Sequence, residues 1–93
     1  MAQNTTVSIP ERTWTQLTDA DVTSATFANK SDYSIFIAGT TSASAPTDLD
    51  GSIKYYPNQG EPNTALSDLF PGIAAVRLYA YAPNGASVFI SHA

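Results

Sequence analysis

The chain has 93 residues, four basic and eight acidic side chains, a net charge of −4 and a charged fraction of 13%, about half the ~25% of an ordinary soluble domain. That length supports a single domain, residues 1–93, with a modest core, and the scattered bases Arg12, Lys30, Lys54 and Arg77 make no patch that would displace counterions from nucleic acid. The absence of cysteine removes disulfides, thiolate nucleophiles and zinc knuckles together, and with no run near ~20 apolar residues and no signal-like N-terminus, neither a membrane partner nor Sec export is expected.

In chain order, Thr6-Val7-Ser8-Ile9 alternates branched and polar residues, breaks at Pro10-Glu11 and resumes with period two as Arg12-Thr13-Trp14-Thr15-Gln16-Leu17-Thr18. Two short strands result. Trp14 is assigned to the core, because a small β domain needs large side chains to fill it. After the acidic turn Asp19-Ala20-Asp21, the spacing predicts a strand over Val22 to Asn29, and Tyr33 to Ala38 reads as the most hydrophobic and therefore central strand. Gly39 to Gly51 lacks apolar periodicity and reads as an exposed loop. Ser52 to Tyr56 returns as a strand, stopped by Pro57-Asn58-Gln59-Gly60-Glu61-Pro62. A helical turn is predicted over residues 64–70, with Asn63 as its cap and Pro71-Gly72 as its exit.

The last two runs, Ala75 to Ala82 and Ala86 to His92, meet at Pro83-Asn84-Gly85 and predict a β-hairpin, since Asn-Gly suits a two-residue turn with both φ positive. The implied register sets Tyr81 against Val88, Tyr79 against Ile90 and Arg77 against His92. Leu78, Ala80 and Phe89 make the opposite face apolar as well, so a second protein is expected to cover one side. Arg77, Tyr79, Tyr81, Val88 and Ile90 are the candidate protein interface. The whole reads as an all-β, antiparallel sandwich or small barrel of about seven short strands with one short helical turn.

Residues able to do chemistry are sparse. Ser91-His92 could join Asp68 or Asp48 in a hydrolytic triad, but the Gly-x-Ser-x-Gly elbow is missing; the plainer role for His92 is a strand-end imidazole beside Arg77 or in an interface. Asp48-Leu49-Asp50-Gly51 opens like a calcium loop, yet the twelfth position, which needs a bidentate Glu, is Gln59. Asn4-Thr5-Thr6 and Asn29-Lys30-Ser31 match the glycosylation sequon, which has no consequence without a secretory signal. Trp14, Tyr55 and Tyr56 would make a sugar-stacking platform if they clustered on one face. Catalytic residues, metal and cofactor are all expected to be absent.

Trp14-Thr15-Gln16-Leu17-Thr18 with Val22-Thr23, Gly39-Thr40-Thr41, Tyr56-Pro57 with Gly60-Glu61, Leu69-Phe70-Pro71-Gly72 and the ending Val88-Phe89-Ile90-Ser91-His92-Ala93 resemble a group of small virion structural proteins of tailed bacteriophages. The resemblance runs from about Thr13 to Ala93 through scattered short strings. It implies a non-enzymatic capsid decoration protein that binds the major capsid protein or another virion protein on the outer shell. A homotrimer is expected by analogy with the local threefold positions of an icosahedral shell. The alternative is a tail- or spike-associated module that binds a host surface or carbohydrate.

Overall fold

A computed structural model describes residues 2–93. The elements are β1 (Gln3–Ile9), β2 (Thr15–Gln16), β3 (Ser24–Asn29), β4 (Ile35–Thr40), β5 (Ile53–Tyr55), β6 (Gly60–Ala65), α1 (Leu66–Leu69), β7 (Arg77–Tyr81) and β8 (Ala86–His92). They form two four-stranded antiparallel sheets, ordered β1-β8-β3-β6 and β2-β7-β4-β5, which pack as a β-sandwich. Side chains alternate across each strand. Ala25, Phe27, Val88 and Ile90 point inward from the first sheet, and Ile35, Ile37, Leu78 and Ala80 meet them from the second.

The chain changes sheet at every connection between consecutive strands except β4 to β5. The predicted C-terminal hairpin is therefore absent: β7 pairs with β2 and β4, whereas β8 pairs with β1 and β3. Proline explains the difference. The turn closes from Gly85 N–H to Ala82 C=O (3.2 Å), which makes Pro83 and Asn84 its central residues. Pro83 fixes φ near −65°, favouring a type I turn, and Asn84 does not take the positive φ that a two-residue Asn-Gly turn requires. Only Gly85 does, at φ 78°. Ala82 instead bridges Glu11 in parallel and accepts the Arg12 amide, and the chain is carried across to the other sheet.

β6 is the strand that its composition hides. Gly60 lies opposite Ala28 and Glu61 opposite Phe27, and the register then shifts around Pro62-Asn63 before Thr64 meets Ala25. The helical turn is shorter than expected, and its N-cap position is Ala65 without a side-chain bond. Asn63 does not cap it; its Oδ1 accepts a bond from Ser24 Oγ.

Tyr55, at the end of β5, is buried edge-on against Phe27, with ring centroids 5.1 Å apart, and donates its hydroxyl to Glu61 Oε2. Burial first, then the hydrogen bond and the charge of Glu61, push its phenol well above the ordinary value. An unfolded tyrosine ionises near pH ~10. Above that pH the unfolded chain releases a proton that the folded chain keeps, so this contribution is intact below ~10 and declines as pH rises further. Denaturant midpoints measured from pH 8 upward should hold steady to ~10 and then fall, and Tyr55→Phe should make the fall shallower. An identical decline in the variant would assign it to other groups.

Candidate interaction face

The outer face of the second sheet carries the molecule's densest aromatic group. Along β7, Leu78 and Ala80 point into the core, so Arg77, Tyr79 and Tyr81 point outward. Phe36 and Ala38 share that face on β4, opposite Tyr81 and Tyr79. Lys54 lies opposite Phe36 on β5. Thr15 pairs with the inward Ala80, which turns the preceding Trp14 outward, where its ring lies 5.3 Å from that of Tyr81, tilted by 49°. Trp14, Tyr81, Phe36 and Lys54 thus form a row that starts just before β2 and crosses β7, β4 and β5. Tyr56 continues it at the β5 edge, its ring centroid 5.2 Å from Lys54 Nζ.

The three rings of the row are half-buried, while Tyr56 is 55% exposed. On the same face Tyr79 is buried, and its hydroxyl donates to Gln16 Oε1 (3.1 Å). Gln16 in turn donates its amide to the Thr18 carbonyl. Arg77 is tied to Asp21 at 2.7 Å. The row itself contains one cation and no carboxylate, so its closure against a partner would dehydrate little charge. Beside it, β4 runs past its last pairing with β5 at Ile37–Ile53. There Ala38, Gly39, Pro46, Asp50, Phe70 and Ile73 line an open cleft of about 470 Å³. Gly39 makes room for the Phe70 ring, since a Cβ at that position would come within 2.6 Å of it.

This arrangement corrects several expectations. Trp14 is outside the core cluster, because the two-residue β2 turns it to the outer face. Val88 and Ile90 are fully buried between the sheets and cannot meet a partner; their strand belongs to the other sheet from Tyr79 and Tyr81. Of the expected interface set, Arg77, Tyr79 and Tyr81 do share one outer face, with only Tyr81 and Arg77 partly open. Phe36 and Lys54 were missed: Ile35-Phe36-Ile37 is apolar throughout and does not say which side chain faces out, whereas Lys54 between Ile53 and Tyr55 does mark the outer face of β5. Tyr55 belongs to the interior and not to a sugar platform.

The residues suspected of chemistry lie elsewhere. His92 points inward on β8 whereas Ser91 points out, so the two cannot act as a nucleophile and its base. His92 Nε2 lies 2.8 Å from Gln3 Oε1 and 3.2 Å from Asp19 Oδ1, and neither Arg77 nor the suspected acids Asp48 and Asp68 is among its polar partners. Asp48 accepts the backbone N–H of Asp50 in a local turn. Asn29 is buried and uses its amide group within the fold.

Comparison with known protein families, curated proteins and solved structures finds no match to this chain. The fold and the face define its class: a small β-sandwich with an aromatic row on one outer face and a charge-free outer edge on the other sheet.

Proposed function

We propose that this chain is a non-enzymatic structural protein of a tailed-bacteriophage virion, attached to the outer shell through the outer face of its second sheet. The observation that carries the reading is the cross-strand row Trp14–Tyr81–Phe36–Lys54. Rings held partly exposed on a rigid sheet lose little conformational entropy on contact, and Trp and Tyr are the commonest centres of binding energy in protein interfaces. The partner is a surface of the major capsid protein with apolar side chains to fill the spaces between the rings and a carboxylate to meet Lys54. The setting in a virion rests on the resemblance of the chain's short strings to that group. A decoration subunit acts by mass action: binding only the assembled shell, it stabilises that state by its own binding free energy.

Mixing the purified chain with expanded empty shells of the source phage is expected to give saturable binding and a higher shell melting temperature. Shells that bind none of it would end this reading. The second reading, a tail- or spike-associated carbohydrate module, is favoured by Trp14 and Tyr56 lying on the same outer face. It is weaker because the amides beside these rings are already used, Gln16 by Tyr79 and Thr18 and Gln59 by the Tyr56 backbone N–H. Binding to host polysaccharide and not to shells would favour that reading.

A further inference from the structure

Four strands terminate the two sheets: β1 and β6 in the first, β2 and β5 in the second. Exposed edges are usually blunted by charge, proline, a bulge or shortness, because an open backbone invites another strand. β6 contains Glu61, Pro62 and a register shift. β2 has two residues, and β5 has three with Lys54 in the middle. β1 has none of these protections: it is seven residues long, Gln-Asn-Thr-Thr-Val-Ser-Ile, without charge or proline, and pairs with β8 in unbroken register.

The direction of its free backbone groups follows from one bond. Lys30 N–H donates to Ser87 C=O (2.9 Å), so Ser87, and by alternation Phe89 and Ser91, aim their backbone groups at β3. Val88, Ile90 and His92 therefore bond to β1, where Val7, Thr5 and Gln3 lie opposite. The N–H and C=O groups of Asn4, Thr6 and Ser8 are left pointing off the edge. All three side chains are exposed.

We infer that β1 is a pairing edge and that its occupant is a second copy of this chain, docked antiparallel about a two-fold axis through Thr6, in place of the threefold arrangement expected by analogy with an icosahedral shell. In that register Thr6 meets Thr6 of the other copy, and Asn4 meets Ser8. Each outward N–H finds an outward C=O. On the inner side Thr5 meets Val7 and Gln3 meets Ile9, which covers Thr5, an inward-facing residue that is exposed in the single chain. No like charges come together, and the two copies of the first sheet become one continuous sheet. The side-chain pairing argues for a second copy: β-branched Thr6 meets Thr6, Thr5 meets Val7, and no charge is opposed. The inference is independent of the aromatic row, which lies on the other sheet.

Sedimentation equilibrium of the intact chain should show a monomer–dimer equilibrium. Thr6→Pro removes the outward N–H and leaves the bonds to β8 in place, so it should weaken association at least ~10-fold with little change in melting temperature. Thr6→Lys, which sets like charges face to face on the axis, should do the same and serves if the proline variant unfolds. In a hydrogen-bonded antiparallel pair the two Cα atoms are ~5.5 Å apart, a span that a disulfide bridges. As the chain has no cysteine of its own, oxidised Thr6→Cys should run as a covalent dimer, while Ser87→Cys, on the same outer face, stays single. A monomer at every concentration up to ~1 mM, a trimer, or a folded Thr6→Lys that associates as tightly as the original chain would overturn the inference.

Discussion

Replacing Gly60 with alanine is expected to lower the free energy of unfolding by about 3–5 kcal/mol, a large share of the roughly 5–14 kcal/mol that a domain of this size has. A Cβ at Gly60 would overlap the carbonyl oxygen of Phe27 and lie 2.6 Å from Ala28 Cα and 2.8 Å from the Phe27 carbonyl carbon. All three atoms belong to the backbone of β3, which is held between β8 and β6 and has no room to retreat. β6 is an edge, so it must give way. Its departure would uncover the Phe27–Tyr55 contact and separate Tyr55 from Glu61. Chemical denaturation should show the loss. Hydrogen exchange should locate it: the amides of Ala25, Phe27 and Asn29, which face β6, should exchange faster, while those of Val88 and Ile90 stay protected. A loss below ~1 kcal/mol would mean that β3 and β6 separate at little cost.

Asn29→Leu is expected to cost about 2–4 kcal/mol, although the new side chain is similar in size and apolar. Asn29 is 1% exposed and ends β3. Its Nδ2 donates to the Tyr33 carbonyl (2.7 Å) and reaches that of Tyr55 (3.4 Å), while its Oδ1 accepts the Ser31 N–H (3.0 Å) and hydroxyl (2.6 Å). Tyr33 leads into β4 and Tyr55 ends β5, so one amide ties the first sheet to the second. Leucine would leave these groups without partners at a site poorly open to water. Asn29→Asp keeps the acceptor but turns a carboxylate oxygen toward the Tyr33 carbonyl. Its folded state would favour the protonated acid, so the sign is clear: stability should be lower at pH 7 and partly restored as pH falls toward ~4. Equal stability of the Asp variant at both pH values would contradict this account of the buried amide.

The strands with period-two patterns were legible from sequence. Ile35, Phe36 and Ile37 identify an interior strand by hydrophobicity alone, and β1 to β5 fall close to where alternation and turn residues place them. β6 was not legible, because Gly60, Pro62 and Asn63 are turn formers in isolation and become a strand only where β3 offers a backbone that tolerates no Cβ. The hairpin failed for a local reason with a global result: Pro83 moves the turn one residue earlier, and the sheet to which β8 goes is decided by β1 and β3, both distant in sequence. That exchange divides the candidate interface. Val88 and Ile90 enter the core, Tyr81 gains Trp14 and Phe36 as neighbours, and the row exists only once β2, β7 and β4 lie side by side.

The most direct test of the aromatic row as the contact surface is the affinity of a Trp14→Ser, Tyr81→Ser double variant for expanded empty shells, compared with that of the original chain. Both rings are on the outer face and not in the core cluster, so the variant should keep its β-sheet circular dichroism, losing about 0.5–1.5 kcal/mol of mutual ring contact. Its binding should weaken by about a hundredfold or more, as expected when two interface anchors are removed together. A folded double variant that binds shells as tightly as the original chain would contradict the account and move the contact to another face.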